Sequence, residues 1–120
     1  MYLVNGNEIT VNGKTTSFMY DIHPTETVQI ADKLIVLLDP PPGQMAMDNV
    51  YAISDSGDLL WQIESRRLPV NSAQTYVHIY IDPAEHSNEN TMTVGATTFG
   101  GDACSIDINT GKILSTRFVK

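Results

Sequence analysis

The sequence predicts an all-β protein, an antiparallel meander of hairpins forming one domain over residues 1–120. Three observations carry that prediction. Tight turn signals recur along the chain, at Asn12-Gly13, Ala31-Asp32, Asp55-Ser56-Gly57 and Asn109-Thr110-Gly111. Between them lie short runs rich in Val, Ile, Leu and aromatics, the strand signature. No segment shows the 3.6-residue apolar period of an amphipathic helix. A length of 120 residues with 42% hydrophobic content suits one globular domain with its own core. No linker divides the chain.

The elements follow in order. Residues 8–12 and 14–20 flank Asn12-Gly13, the strongest short hairpin signal. Residues 28–30 and 33–38 form a second tight pair around Ala31-Asp32. Leu34-Ile35-Val36-Leu37-Leu38 is apolar at every position, which predicts a strand covered on both faces. It ends at Asp39-Pro40-Pro41-Pro42-Gly43, because proline donates no ladder hydrogen bond. Residues 50–61 form the next hairpin, and Leu59, Trp61 and Ile63 are expected to share a core-facing side. The chain breaks again at Arg66-Arg67-Leu68-Pro69. In residues 75–81, strict alternation places Tyr76, His78 and Tyr80 on one face and Val77, Ile79 and Ile81 on the other. Residues 82–90 read as a polar loop, and 91–99 lead through Gly100-Gly101 into the last hairpin.

That last hairpin repeats an earlier one. Val50-Tyr51-Ala52-Ile53-Ser54-Asp55-Ser56-Gly57-Asp58-Leu59-Leu60-Trp61 aligns with the stretch from Ala103 to Ser115 when the second turn takes one extra residue. Ile53 then matches Ile106, Gly57 matches Gly111 and Leu60 matches Leu114. Each Gly sits where the backbone needs positive φ, which glycine adopts without a Cβ penalty. The two hairpins, residues 50–64 and 103–118, resemble the blade repeats of quinoprotein-type β-propellers, although Ser115 stands where that family usually has Trp. The resemblance implies blade-like hairpins arranged as a partial propeller or a two-sheet sandwich. A blade needs about 40–45 residues and a closed ring at least four blades. The chain therefore cannot close a ring alone, and no cofactor is expected, since the family's cofactor occupies the channel of a complete ring.

Charge narrows the function classes. The net charge is −7, with an isoelectric point near 4.6. Residues 34–65 hold five acids (Asp39, Asp48, Asp55, Asp58, Glu64) and no Lys or Arg, and residues 68–111 repeat that balance. An acidic surface repels phosphate backbones and attracts basic partners, so nucleic-acid binding is not expected. No run of 18 apolar residues occurs, so neither is a membrane span. The start of the chain as given has neither a basic stretch nor an apolar core, so no secretory signal is expected. A single cysteine, Cys104, forms no internal disulfide, and cytoplasmic residence is the natural expectation.

Catalytic and metal-binding residues are expected to be absent. Cys104 lies among apolar strand residues, where a thiol is usually inert core, and no nucleophile elbow or phosphate-cradling glycine loop occurs. His23 precedes Pro24 and reads as turn chemistry, and His78 as a strand-face residue. Asp82, Glu85, His86 and Glu89 share one polar loop but lack the fixed ligand positions of a calcium site, so solvated carboxylates are the simpler reading. The loop 40–48 differs, since it is stiffened by proline and ends in two methionines and an acid. Such loops often carry binding, with Met as adaptable apolar contact.

The expectation is therefore a non-catalytic acidic binding protein that neutralises a basic protein partner. In general character, though not by motif, it is similar to small bacterial immunity proteins that inhibit a cognate nuclease-type toxin. The expected partner-binding residues are Asp39, Met45, Met47, Asp48, Asp55 and Asp58, on the loops bracketing the first blade-like hairpin. Two alternatives are a blade-like module that self-assembles or docks on another subunit, and a metal-dependent or enzymatic module.

Overall fold

The computed structural model describes residues 2–44, 46–66, 74–81 and 93–118. Strands take up 63% of these residues, with no α-helix among them. Eleven strands form three antiparallel sheets, each a simple meander. The first joins β1 (Tyr2–Asn5), β2 (Glu8–Val11) and β3 (Lys14–Ser17). The second runs β4 (Asp21–Ile30), β5 (Lys33–Asp39), β6 (Val50–Ser54) and β7 (Leu59–Gln62). The third runs β8 (Tyr76–Ile81), β9 (Thr93–Thr98), β10 (Asp102–Asp107) and β11 (Ile113–Phe118). The sequence reading missed β1, although Asn5-Gly6 supplies its turn, with Gly6 at φ 61°.

The second sheet is the middle layer. Ile35 and Leu37 of β5 point into a cluster shared with Tyr76, Ile79, Val94, Ala96, Cys104 and Ile106 of the third sheet. Leu34, Val36 and Leu38 point the other way, onto Ile9 and Val11 of the first. This accounts for the unbroken apolar run in β5, because a strand covered on both faces has no solvent side to keep polar.

The repeated hairpins match in backbone detail. In the first, the register slips between Ala52 and Ile53, leaving Leu60 as the extra residue. In the second it slips between Ser105 and Ile106, leaving Leu114, its aligned counterpart. Gly57 and Gly111 both hold positive φ, at 90° and 78°. Each glycine turn also presses against the preceding sheet. A Cβ on Gly57 would lie 2.8 Å from the Lys14 Cβ and 2.9 Å from the Val11 carbonyl oxygen. A Cβ on Gly111 would lie 2.7 Å from the Trp61 ring. The Trp61 indole N–H donates to the Ile108 carbonyl at 2.8 Å, and the Glu64 N–H to the Gly111 carbonyl at 2.9 Å.

Two facing assignments change for the same reason. A bulge puts one extra residue into a period-2 pattern and inverts the faces beyond it. The register slips between Tyr76 and His78, so Tyr76 turns into the core beside Ile79, while His78 and Tyr80 stack outside with ring centroids 5.4 Å apart. Likewise the extra Leu60 leaves Leu59 exposed, while Trp61 and Ile63 are buried as expected.

Gly111→Val combines a forbidden φ with a collision against a buried ring, and Gly57→Val combines it with a collision against backbone. Each substitution is expected to destabilise by more than about 1 kcal/mol, measured by denaturant unfolding. Unchanged midpoints for both would mean the turns do not hold the sheets together.

Candidate functional site

The candidate site lies where β5 runs into its proline stop. Pro40, Pro41 and Pro42 cannot extend the ladder, and the chain folds into a turn closed by the Gln44 N–H donating to the Pro41 carbonyl at 3.1 Å. Pro42 and Gly43 hold its central positions, with Gly43 at φ 85°, the residue pattern a type II turn requires. The result is a stiff ridge with a cleft on either side.

One cleft, of about 490 Å³, is walled by the prolines, Gln44, Val77 and Phe99, with Asp39 and His23 contributing polar groups. The other, of about 590 Å³, is lined by the same prolines with Met19, Tyr20, Asp21 and Asp39. Asp39 belongs to both. Among the described residues neither lining contains Lys or Arg.

Buried Asn49 fixes this end of the molecule. Its side-chain amide donates to the carbonyls of Leu38 (2.8 Å) and Tyr76 (2.9 Å), and its oxygen accepts from the Tyr76 N–H (2.9 Å). One side chain thus ties the end of β5 to the start of β8. The sequence gives no sign of this, because an Asn after a loop usually reads as turn chemistry.

Asp21 and Asp39 stand directly opposite each other in the β4–β5 ladder. Directly opposed residues share a face with Cβ atoms about 5 Å apart, and like charges so placed repel. Every other described carboxylate has a partner. Asp58 pairs with Lys14, Asp32 with Lys33 and Asp102 with Arg66. Glu26 accepts from the Ile79 N–H and bonds to His78, and Glu64 accepts from the Ile113 N–H. Glu8, Asp55 and Asp107 hydrogen-bond Ser17, Ser56 and the Asn109 N–H. Asp21 and Asp39 have no hydrogen-bond or ion-pair partner among the described residues. The sequence reading did not single out Asp21, since only the register shows that it faces Asp39.

The geometry divides the expected partner-binding set. Asp39, Met47 and Asp48 sit at the proline end of the middle sheet, whereas Asp55 and Asp58 occupy the β6–β7 turn at the other end of β6. Five residues of strand, about 16 Å, separate the two groups. Asp58 is engaged with Lys14, and Asp55 lies beside Asp32, whose carbonyl accepts the Asp55 N–H at 2.9 Å. Met45 lies outside the described residues, as does the Asp82, Glu85, His86 and Glu89 loop. Among the described residues no three His, Cys, Asp or Glu side chains gather as a metal site.

Four further groups have settled surroundings. Burial raises the Asp48 carboxyl above its ordinary range, partly offset by a hydrogen bond with Ser65. Cys104 is buried, its Sγ 3.6 Å from both the Tyr76 hydroxyl and the Thr116 Oγ1. Burial and then Cys104 push the Tyr76 phenol strongly upward, so it stays protonated. His23 lies in a bulge of β4, where its Nδ1 accepts from the Thr25 N–H at 3.3 Å.

Asp48 supplies a pH test. A carboxyl raised in the folded state binds protons more tightly folded than unfolded, so its contribution to stability falls as pH rises above the ordinary value of 3.8. Asn tolerates the positive φ of 54° found there. Asp48→Asn is therefore expected to melt higher than the parent at pH 7, by a few degrees at most for a part-exposed group. The difference should close below about pH 3. A variant that melts lower than the parent at pH 7 would show that the charge is favourably held.

No curated protein and no solved structure matches the chain. A family model nevertheless spans residues 1–118, and the chain belongs to that family, described as Domain of unknown function (DUF7957).

Proposed function

We propose that this chain is a non-catalytic, cytoplasmic binding domain that neutralises a basic protein, in the manner of an immunity protein acting on a nuclease-type toxin. The observation that carries the reading is the opposed Asp21 and Asp39 pair at the base of the proline ridge, without a counter-charge among the described residues. Stability alone favours replacing one of two facing carboxylates. A basic partner supplies the missing charge and turns the repulsion into attraction. Asp48, kept acidic where burial disfavours the charge, adds to the same end of the sheet. A nuclease must present positive charge to phosphates, and its inhibitor can meet that surface with carboxylates.

The test is association kinetics against the product of the adjacent gene, at low and high salt. Asp39→Lys with Asp48→Lys is expected to slow association at least tenfold at low salt, with the loss shrinking as salt rises. Asp55→Lys with Asp58→Lys should slow it less, because Asp58 is already neutralised by Lys14. Met47→Ala should mainly speed dissociation. Salt-independent association, or full affinity after reversal of Asp39 and Asp48, would remove the interface from this end.

A second reading, a module docking on another subunit or on its own copy, draws on β11. This six-residue edge strand exposes Leu114 and Phe118, and exposed edges invite strand pairing. A mass that rises with concentration without any partner would favour it.

A further inference from the structure

We infer that the cleft between the proline ridge and Phe99 receives an arginine side chain of the basic partner. The inference rests on the binding-domain reading and names the chemistry that the partner presents. The cleft has about 490 Å³ of space, within the range of small-ligand sites. Its walls carry a broad apolar surface from Pro40, Pro41, Pro42, Val77 and Phe99, with Gln44, Thr75 and His23 among the polar lining. Phe99 is 73% exposed, so its ring is open to a visitor. Its anionic group is Asp39, which has no partner among the described residues. Among those residues the one basic side chain in the lining is His23, with no Lys or Arg to oppose an incoming cation.

These features favour arginine over the other candidates. An apolar side chain would bury against the walls but strand the Asp39 carboxylate without a partner. Lysine would satisfy the carboxylate as a point charge, yet its strongly hydrated ammonium makes poor use of an aromatic wall. Guanidinium is planar and weakly hydrated, stacks on aromatic rings and bonds a carboxylate through two N–H groups at once. Its three-methylene stem lies readily along prolines. The ridge is braced by its own turn and by Asn49, so the cleft needs little ordering before it binds.

The test is titration of the ¹⁵N-labelled full chain with acetyl-Gly-Arg-Gly-amide, and separately with its lysine and citrulline counterparts. Citrulline keeps the shape of arginine without the charge. The expected result is weak, saturable binding of the arginine peptide, with shifts gathered on Gln44, Thr75, Val77 and Phe99. Its affinity should exceed that of the citrulline peptide by at least about fivefold, with the lysine peptide between them. Asp39→Asn and Phe99→Ala should each weaken the arginine peptide by about three- to tenfold. Both side chains are exposed, and an unchanged spectrum away from the cleft confirms that each variant folds. Equal binding of the arginine and citrulline peptides, shifts centred on the 55–58 turn, or indifference to Asp39→Asn would each overturn the inference. The binding-domain reading fails by a different result: the chain captures no basic protein at any salt. If capture persists and still depends on Asp39 and Asp48 while the arginine peptide does not bind, the cleft assignment alone is lost.

Discussion

The seat of Trp61 on the Gly111 turn is the contact on which the layered structure depends. The indole comes from the last strand of the middle sheet and lies against a turn of the third, where a Cβ would not fit. Its N–H reaches the Ile108 carbonyl, so the ring is fixed by a hydrogen bond as well as by packing. A buried Trp contributes a large apolar area and leaves no polar atom unsatisfied when its N–H is paired. This seat joins two four-stranded sheets into one core from Ile30 to Ile108. The Gly57 turn makes the equivalent approach to Val11 and Lys14 of the first sheet. Each glycine thus serves twice, setting the hairpin's positive φ and allowing the next layer to come close.

Much of this was legible in the sequence, and the misses share a physical cause. The turns, both glycines, the doubly covered β5 and the internal repeat follow from local signals, since turn type and side-chain period are set within a few residues. Tyr76 and Leu59 were misassigned because a bulge inverts faces and nothing in the local alternation marks where the extra residue falls. The site was less legible. Asp39 and Asp48 could be found from composition, but Asp21 and Phe99 approach Asp39 only through the fold. Asp55 and Asp58 are close to Asp48 in sequence and about a strand length away in space. Asn49 could not have been found at all, because two of its three side-chain hydrogen bonds go to Tyr76 of β8, 27 residues further on.

Electrostatics separates the two ends of the middle sheet. At the turn end, two acids are paired with bases, Asp58 with Lys14 and Asp32 with Lys33, and Asp55 is hydrogen-bonded to Ser56. At the proline end two carboxylates oppose each other and a third is held where burial disfavours its charge. Two like charges about 5 Å apart repel by about 1 kcal/mol in bulk water, and by more where the protein excludes water. A fold selected for stability alone would lose that cost by a single substitution. The facing pair lies beside two clefts, where the proposed partner would supply the missing positive charge.

The sheet edges lead to the same end of the molecule. An open edge is the usual alternative route to association, yet three outward backbone groups of β8 are taken by side chains. Asn49 bonds the N–H and carbonyl of Tyr76, and Glu26 takes the N–H of Ile79. The β4 edge is broken by Pro24 and a bulge, which removes a donor and twists the strand away. Both edges flank the proline ridge. With strand addition hindered at these points, the proposed partner would meet mainly side chains and a rigid loop on this face. On the binding-domain proposal, recognition there would be governed by charge and shape, which a nuclease surface and an acidic cleft can match, and not by main-chain pairing, which any extended peptide would satisfy.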